Sequence, residues 1–106
     1  MGATNIKPGT RVVVSTDRTK RGVFFGEFVE AKPSEDGKSW EVTLRQARMC
    51  ICWSAETKGF GGLSSIGPQS GSRVGPPSPE MHLLGVECVA VASEEAARTW
   101  EASPWN

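Results

Sequence analysis

A strict alternation of apolar and polar side chains at residues 40 to 45 limits the fold of this chain more than any other feature. The apolar set is Trp40, Val42 and Leu44, and the polar set between them is Glu41, Thr43 and Arg45. A period of two places one set on each face of an extended strand. This segment therefore predicts a β-strand with one buried face and one face in water.

Four further segments have the composition of strands. Residues 11 to 15 and 22 to 31 are rich in valine and phenylalanine, and residues 48 to 53 are apolar after Arg48. A continuous apolar run predicts a strand covered on both faces. Residues 81 to 92 form the last segment, and parity places four of its side chains on one face: Leu84, Val86, Cys88 and Ala90. Polar or turn-forming residues link the first four segments, so we expect a meander of antiparallel hairpins, with a tight connection at Gln46 and Ala47.

The rest of the chain predicts one long loop and one helix. Residues 54 to 79 contain six glycines and four prolines, which is typical of a loop, with at most one short helical turn at residues 63 to 66. Ser93 followed by Glu94 and Glu95 is typical of a helix N-cap and an acidic first turn. Pro104 then ends the helix.

These elements predict a single domain spanning residues 1 to 106. Its parts are a flexible N-terminus at 1 to 9, a β-meander at 10 to 53, a loop at 54 to 79, a final strand at 80 to 92 and a helix at 93 to 102. Five short, twisted strands tend to curl so that few edges stay unpaired. We therefore expect a mainly β (α+β) fold, namely a small, partly open, SH3-like antiparallel barrel with a helix at one end.

Composition excludes several classes of protein. Twelve Lys and Arg balance twelve Asp and Glu, which argues against a broad electrostatic surface for nucleic acid. No apolar window approaches the roughly 18 residues that span a bilayer, and no secretion signal is apparent, so we expect a soluble, intracellular protein. Three cysteines, an odd number, fit a reducing compartment.

Metal binding is the first chemical alternative. The side chains of Cys50, Cys52, Cys88 and His82 are acceptable zinc ligands. On an extended strand, however, His82 and Cys88 lie about 20 Å apart at roughly 3.3 Å per residue. Cys50 and Cys52 also lack the turn that a C-x-x-C spacing provides. We therefore expect no metal, and reduced thiols buried as small apolar side chains.

Catalysis is the second alternative. His82 is the only histidine and lies between two apolar residues at the start of a strand, which is typical of a structural or surface histidine. Glu94 and Glu95 are adjacent on a helix and point in different directions, which does not suit acid–base work. We expect no catalytic residues, no cofactor and no enzymatic activity.

The glycine-rich loop is the best candidate for a binding site. Its candidate contact residues, including the end of the preceding strand, are Trp53, Lys58, Phe60, Leu63 and Arg73. Exposed Phe60 or Leu63 would anchor a protein interface, and the alternative is that both fold back as core. The glycines at residues 59 to 67 also leave open an anion site, flanked by Lys58 and Arg73, although the loop lacks the lysine of a P-loop.

A second candidate is the first hairpin loop, where Arg18, Lys20 and Arg21 cluster. Three cations without an interleaved aromatic residue are a weak nucleic-acid signal, so a solvated loop tip is the alternative. Charge is also uneven along the chain, from +3 over residues 1 to 58 to −3 over residues 59 to 106. This asymmetry would favour head-to-tail self-association.

Several short motifs resemble a family of small proteins of unknown function encoded by tailed bacteriophages and prophages. The motifs are Val42-Thr43-Leu44, Ala47-Arg48, Trp53-Ser54-Ala55-Glu56-Thr57, Gly67-Pro68 and the closing Trp100 to Trp105. The resemblance extends from Arg11 to Trp105. It implies a common origin and fold, and it supplies no catalytic residues. Its members tend to have an aromatic residue where this chain has Cys52, so the resemblance does not imply an essential thiol pair.

We therefore expect a phage-derived, non-catalytic binding or assembly module that acts through protein–protein contacts. Its partner would be a phage protein, a host protein or a second copy. One alternative is a virion accessory protein of the head or tail, and another is an inhibitor of a host pathway that binds a small ligand or nucleic acid. The expected location is the host cytoplasm, or the virion for a structural component, with no membrane partner.

Overall fold

The computed structural model describes residues 5 to 16 and 22 to 104. The strands are β1 (Arg11–Thr16), β2 (Val23–Pro33), β3 (Trp40–Cys52), β4 (Arg73–Val74) and β5 (Ser78–Val91). The helices are a 3-10 helix at Ala55–Thr57, α1 (Gly59–Ser65) and α2 (Glu94–Ala102). All strand pairs are antiparallel, so the predicted small, mainly β fold is confirmed.

The four long strands pair in a ring. β1 pairs with β2 and β5, and β3 also pairs with β2 and β5. β4 lies outside this ring and pairs with the last residues of β3. A ring of this kind leaves few backbone groups unpaired, because each long strand has a neighbour on both sides. The sheet is therefore a partly open ring of strands, as expected for a small β fold.

β3 corrects the predicted meander. The two strands expected on either side of Gln46 are one continuous strand of 13 residues. Gln46 has a φ of 51°, and the partners on β2 shift from Phe25↔Arg48 to Glu27↔Arg45 across it. This shift is a β-bulge, which bends a strand without reversing it. Gly26 faces the bulge, where a Cβ atom would lie 2.9 Å from the carbonyl oxygen of Arg45.

β5 contains a second irregularity that corrects its predicted facing. Leu83 and Val86 are buried, whereas Leu84 is 55% exposed. Gly85 between them has a φ of 69°, and the partners of β5 shift on both neighbouring strands near this point. The simple parity that placed Leu84 beside Val86 is therefore wrong, because a bulge adds a residue and reverses the facing.

Two apolar cores lie on the two sides of the sheet. The inner core fills the ring and comprises Val12, Val14, Phe28, Val42, Leu44, Ala47, Leu83 and Val86. The outer core lies between the sheet and the helices and comprises Val13, Phe25, Cys50, Leu63, Val74, Ala96, Ala97 and Trp100. Consecutive valines of β1 belong to opposite cores, and all three are fully buried. β1 is thus the strand that is covered on both faces.

The terminal helix closes the outer core. Ser93 caps α2 as predicted, since its side-chain oxygen accepts a hydrogen bond from the backbone N–H of Ala96 at 2.9 Å. Trp100 is fully buried and its ring stacks on Phe25, with centroids 5.1 Å apart. Trp100 Nε1 also donates to the carbonyl oxygen of Leu63 at 2.9 Å. α2 therefore lies with α1 against the outer face of the sheet.

No helix in the described ranges has the length and apolar character needed to cross a membrane.

Candidate functional site

The segment from residue 54 to 79 is a folded cover and not an open loop. It contains the 3-10 helix, α1, β4 and the first residues of β5. Thr57, which is fully buried, joins its parts: Thr57 Oγ1 accepts a hydrogen bond from the backbone N–H of Gln69 at 3.0 Å and lies 3.3 Å from Ser72 Oγ. The backbone N–H of Ser54 donates to the same serine at 3.0 Å. These bonds hold the segment in one arrangement.

Two glycines of this cover allow close packing of the backbone. A Cβ atom on Gly62 would overlap the carbonyl oxygen of Thr57. Gly67 has a φ of 82°, and a Cβ there would lie 2.6 Å from the side chain of Thr99 on α2. Close approach of backbone is a recurrent use of glycine. Close packing of the backbone therefore accounts for Gly62 and Gly67. The anion site that the sequence left open is not needed to explain these two glycines.

The structure separates the two apolar candidates of the segment. Leu63 is fully buried in the outer core and cannot contact a partner. Its predicted role as an exposed anchor is wrong, because α1 turns this side chain toward the sheet. Phe60 is partly buried and packs against the same cluster. The sequence left two alternatives open for Phe60 and Leu63, namely exposed anchors or core side chains. The structure shows the second, in which the segment folds back onto the core.

The other three candidates are accessible. Trp53 is 40% exposed and directly follows β3. Lys58 is exposed and has a φ of 67°, where it joins the 3-10 helix to α1. Arg73 is exposed on β4 and pairs with Cys52, the residue before Trp53. Trp53 and Arg73 thus lie at the same end of β3.

Exposed apolar side chains continue along this end of β3. Met49 and Ile51 are 38% and 51% exposed. β5 begins at Ser78, opposite Ala47, so the later residues of β3 pair with the short strand β4 and not with β5. The prediction that this strand is covered on both faces is therefore wrong. We call Met49, Ile51 and Trp53 the β3 apolar face.

The predicted basic cluster at Arg18, Lys20 and Arg21 lies outside the described residues.

The thiols and the histidine are dispersed. Cys50 is buried in the outer core, as predicted, and burial raises the pKa of its thiol to about 11, with a smaller contribution from nearby Cys52. Cys52 and Cys88 are exposed, so their predicted burial is wrong. His82 is exposed on β5 and lies 3.0 Å from both Thr43 and Glu80. Within residues 5 to 16 and 22 to 104, no three His, Cys, Asp or Glu side chains are placed to hold a metal ion.

Sequence reasoning missed one residue of the site region, Arg48. Its side chain is only 4% exposed, although arginine is rarely buried without a partner. Nε donates to the carbonyl oxygen of Gly75 at 2.8 Å, and Nη1 donates to that of Trp100 at 2.6 Å. Arg48 thus joins β3 to the C-terminal turn of α2, where a cation is favourable. The available signal was a charged residue at the start of an otherwise apolar strand segment.

Fold and site together define a small, mainly β domain whose outer face is covered by helices and in which the 13-residue strand β3 ends in an exposed apolar face. The chain belongs to the family described as Domain of unknown function (DUF6948), whose model matches residues 9 to 100. The expected membership of an uncharacterised family is thereby confirmed. Comparison with curated proteins gave no match, and comparison with solved structures gave none.

Proposed function

We propose that this protein is a non-catalytic binding module that contacts another protein through the β3 apolar face. The proposal rests on the exposure of three large apolar side chains at the end of one strand, between 38% and 51% each. Single exposed apolar side chains are common on protein surfaces, whereas a group of large ones is typical of interaction sites. Tryptophan and methionine are also enriched in interfaces.

The arginine beside the end of β3 favours an acidic partner. Arg73 is exposed and forms no ion pair with another described residue. Arg73 lies beside the residue that precedes Trp53. A partner surface with apolar side chains bordered by Asp or Glu would complement both features. Such charges mainly accelerate association, and their effect weakens as salt is added.

A phage origin is the second part of the proposal. It is supported by the motifs that resemble proteins of tailed bacteriophages, among them Val42-Thr43-Leu44 and Gly67-Pro68. The partner would then be a phage or host protein, met in the host cytoplasm or in the virion. The coding gene is expected among phage genes, and a position among host genes alone would contradict this origin.

Paired aspartate substitutions test the binding face. Ile51→Asp places a charge in the β3 apolar face, and Leu84→Asp places one at a similarly exposed site on β5, with exposures of 51% and 55%. The tagged protein and both variants would be used to capture partners from host cells, with quantitative mass spectrometry as the readout. Circular dichroism would first establish that both variants are folded.

We expect Ile51→Asp to lose a protein that Leu84→Asp retains. Light scattering covers the case in which the partner is a second copy, because a dimer should then dissociate with Ile51→Asp alone. If no protein depends on Ile51 and the wild type is monomeric, the proposal is refuted.

A further inference from the structure

A groove of about 500 Å³ lies apart from the β3 apolar face. It opens where β1, β2 and β3 meet the C-terminal end of α2, and Arg48 forms part of its wall. Its volume falls within the roughly 300 to 1,000 Å³ of small-molecule sites in proteins. Pro77 and Pro104, which are both exposed, contribute apolar surface. We call this cavity the Arg48 groove.

The guanidinium of Arg48 has donors that the fold does not use. Nε and Nη1 each donate to a backbone carbonyl oxygen, whereas Nη2 is enclosed and has no hydrogen-bond partner among the described residues. No ion pair in the described ranges includes Arg48. A buried polar group without a partner is destabilising, and more so when it is charged. Such groups are rare in proteins and call for a physical explanation.

The charges around the groove indicate what kind of anion would fit. Arg11 Nη1 lies 2.9 Å from Glu101 Oε2, so these two rim charges neutralise each other. Arg11 also lies opposite Glu27 in the pairing of β1 with β2. Two arginines and two glutamates therefore line the groove, and their charges sum to zero. A polyanion would be repelled by both glutamates, whereas a single negative charge can pair with Arg48 at a smaller electrostatic cost.

We propose that the Arg48 groove binds a small monocarboxylate with an aromatic or other cyclic apolar group, whose carboxylate oxygen accepts a hydrogen bond from Arg48 Nη2. Charge-assisted hydrogen bonds between guanidinium and carboxylate are among the strongest in proteins. The ring of the ligand would lie against Pro77 and Pro104. Because Nη2 is enclosed, this contact requires a small shift of the groove wall, and exposed Pro77 is the wall residue that would move. This inference does not depend on the proposed protein-binding face.

An NMR titration of the intact chain with benzoate tests the proposal. We expect saturable shifts that concentrate on the Arg48 Nε–H and on the backbone amides of Glu27 and Gln46. Benzamide has the same ring without the charge. Because it lacks the ionic hydrogen bond, it should bind at least about tenfold more weakly than benzoate. Inorganic phosphate should bind more weakly than benzoate. Shifts that do not saturate, or equal affinity for benzamide and benzoate, would overturn the proposal.

Matched proline variants locate the site. Pro77→Phe places a ring at the groove wall, and Pro79→Phe places the same ring at an exposed position that does not line the groove. We expect benzoate affinity to fall about tenfold for the first and to stay unchanged for the second. Arg48→Lys keeps the charge, removes the planar guanidinium and should also weaken binding. If Arg48→Lys does not fold, the proline pair still decides, and equal affinities for its two members would refute the site.

Discussion

The replacement of Leu63 by alanine tests whether the segment after β3 is part of the core. Leu63 is fully buried, next to Trp100 and Val74 in the outer core. The substitution removes three carbon atoms, worth about 2.4 kcal/mol of transfer free energy at about 0.8 kcal/mol each. The remaining cavity adds to this loss, so we expect the free energy of unfolding to fall by about 3 to 4 kcal/mol. That is a large part of the roughly 5 to 15 kcal/mol typical of a domain.

Urea unfolding, followed by tryptophan fluorescence, measures this loss. Leu84→Ala is the matched control, because Leu84 is 55% exposed and should cost less than about 1 kcal/mol. The dependence of the free energy on urea should stay the same in both variants, since the surface exposed on unfolding hardly changes. If Leu63→Ala costs no more than Leu84→Ala, the placement of α1 against the sheet is wrong.

Three more measurements test the fold. Gly62→Ala should lower the free energy of unfolding by about 2 kcal/mol or more, because its Cβ would overlap a carbonyl oxygen, whereas Gly61→Ala, which has open space, should be neutral or stabilising. Ser93→Ala should cost about 1 kcal/mol by thermal unfolding, since the helix loses its cap; an unchanged melting temperature would argue against the cap. Burial raises the pKa of Cys50 in the folded state from 9.0 to about 11. The contribution of the buried neutral thiol to the free energy of unfolding is therefore fully present below pH 9 and is lost as the pH rises from 9 to 11. Unfolding at a series of pH values should show that decline in the wild type and a smaller one in Cys50→Ala.

Local sequence patterns predicted most of the secondary structure. The alternation around Val42 and Leu44 predicted a strand with one buried face and one face in water; both of these side chains are buried, but Thr43 of the predicted water face is buried as well. Ser93 predicted a helix start, and its side chain caps α2. Both features depend on residues close together in the chain, because strand periodicity and helix capping act over two to four positions.

Irregular backbone limited the prediction of strand facing and connection. The sequence around Gln46 suggested a tight turn. Nothing in the sequence around Gly85 indicated that the side chains of β5 change face there. Both residues have positive φ angles inside long strands and mark shifts in pairing. A bulge depends on the neighbouring strand that it faces, as at Gly26, where backbone approaches backbone. That neighbour is distant in sequence, so no local pattern reveals the bulge.

Among the candidate site residues, sequence indicated which side chains are apolar or charged and could not indicate which are covered. Leu63 and Ile51 are similar in size and hydropathy, yet one is fully buried and the other is 51% exposed. The difference arises because α1 turns Leu63 toward the sheet, whereas Ile51 lies on the face of β3 opposite to that of buried Cys50. Arg48 was likewise visible as a charge, but its burial depends on distant segments, whose carbonyl groups 27 and 52 positions away in the chain accept hydrogen bonds from Nε and Nη1.

The amino-acid sequence by itself therefore determined the strand-forming segments, the helix cap and the balance of charge, since these follow from side-chain chemistry and short-range periodicity. Only the tertiary structure decided the pairing order of the strands, the exposed end of β3 and the groove at Arg48. The physical reason is that burial is not a property of a residue: the apolar driving force has no direction, and which side chain it covers depends on the distant segment that packs against it.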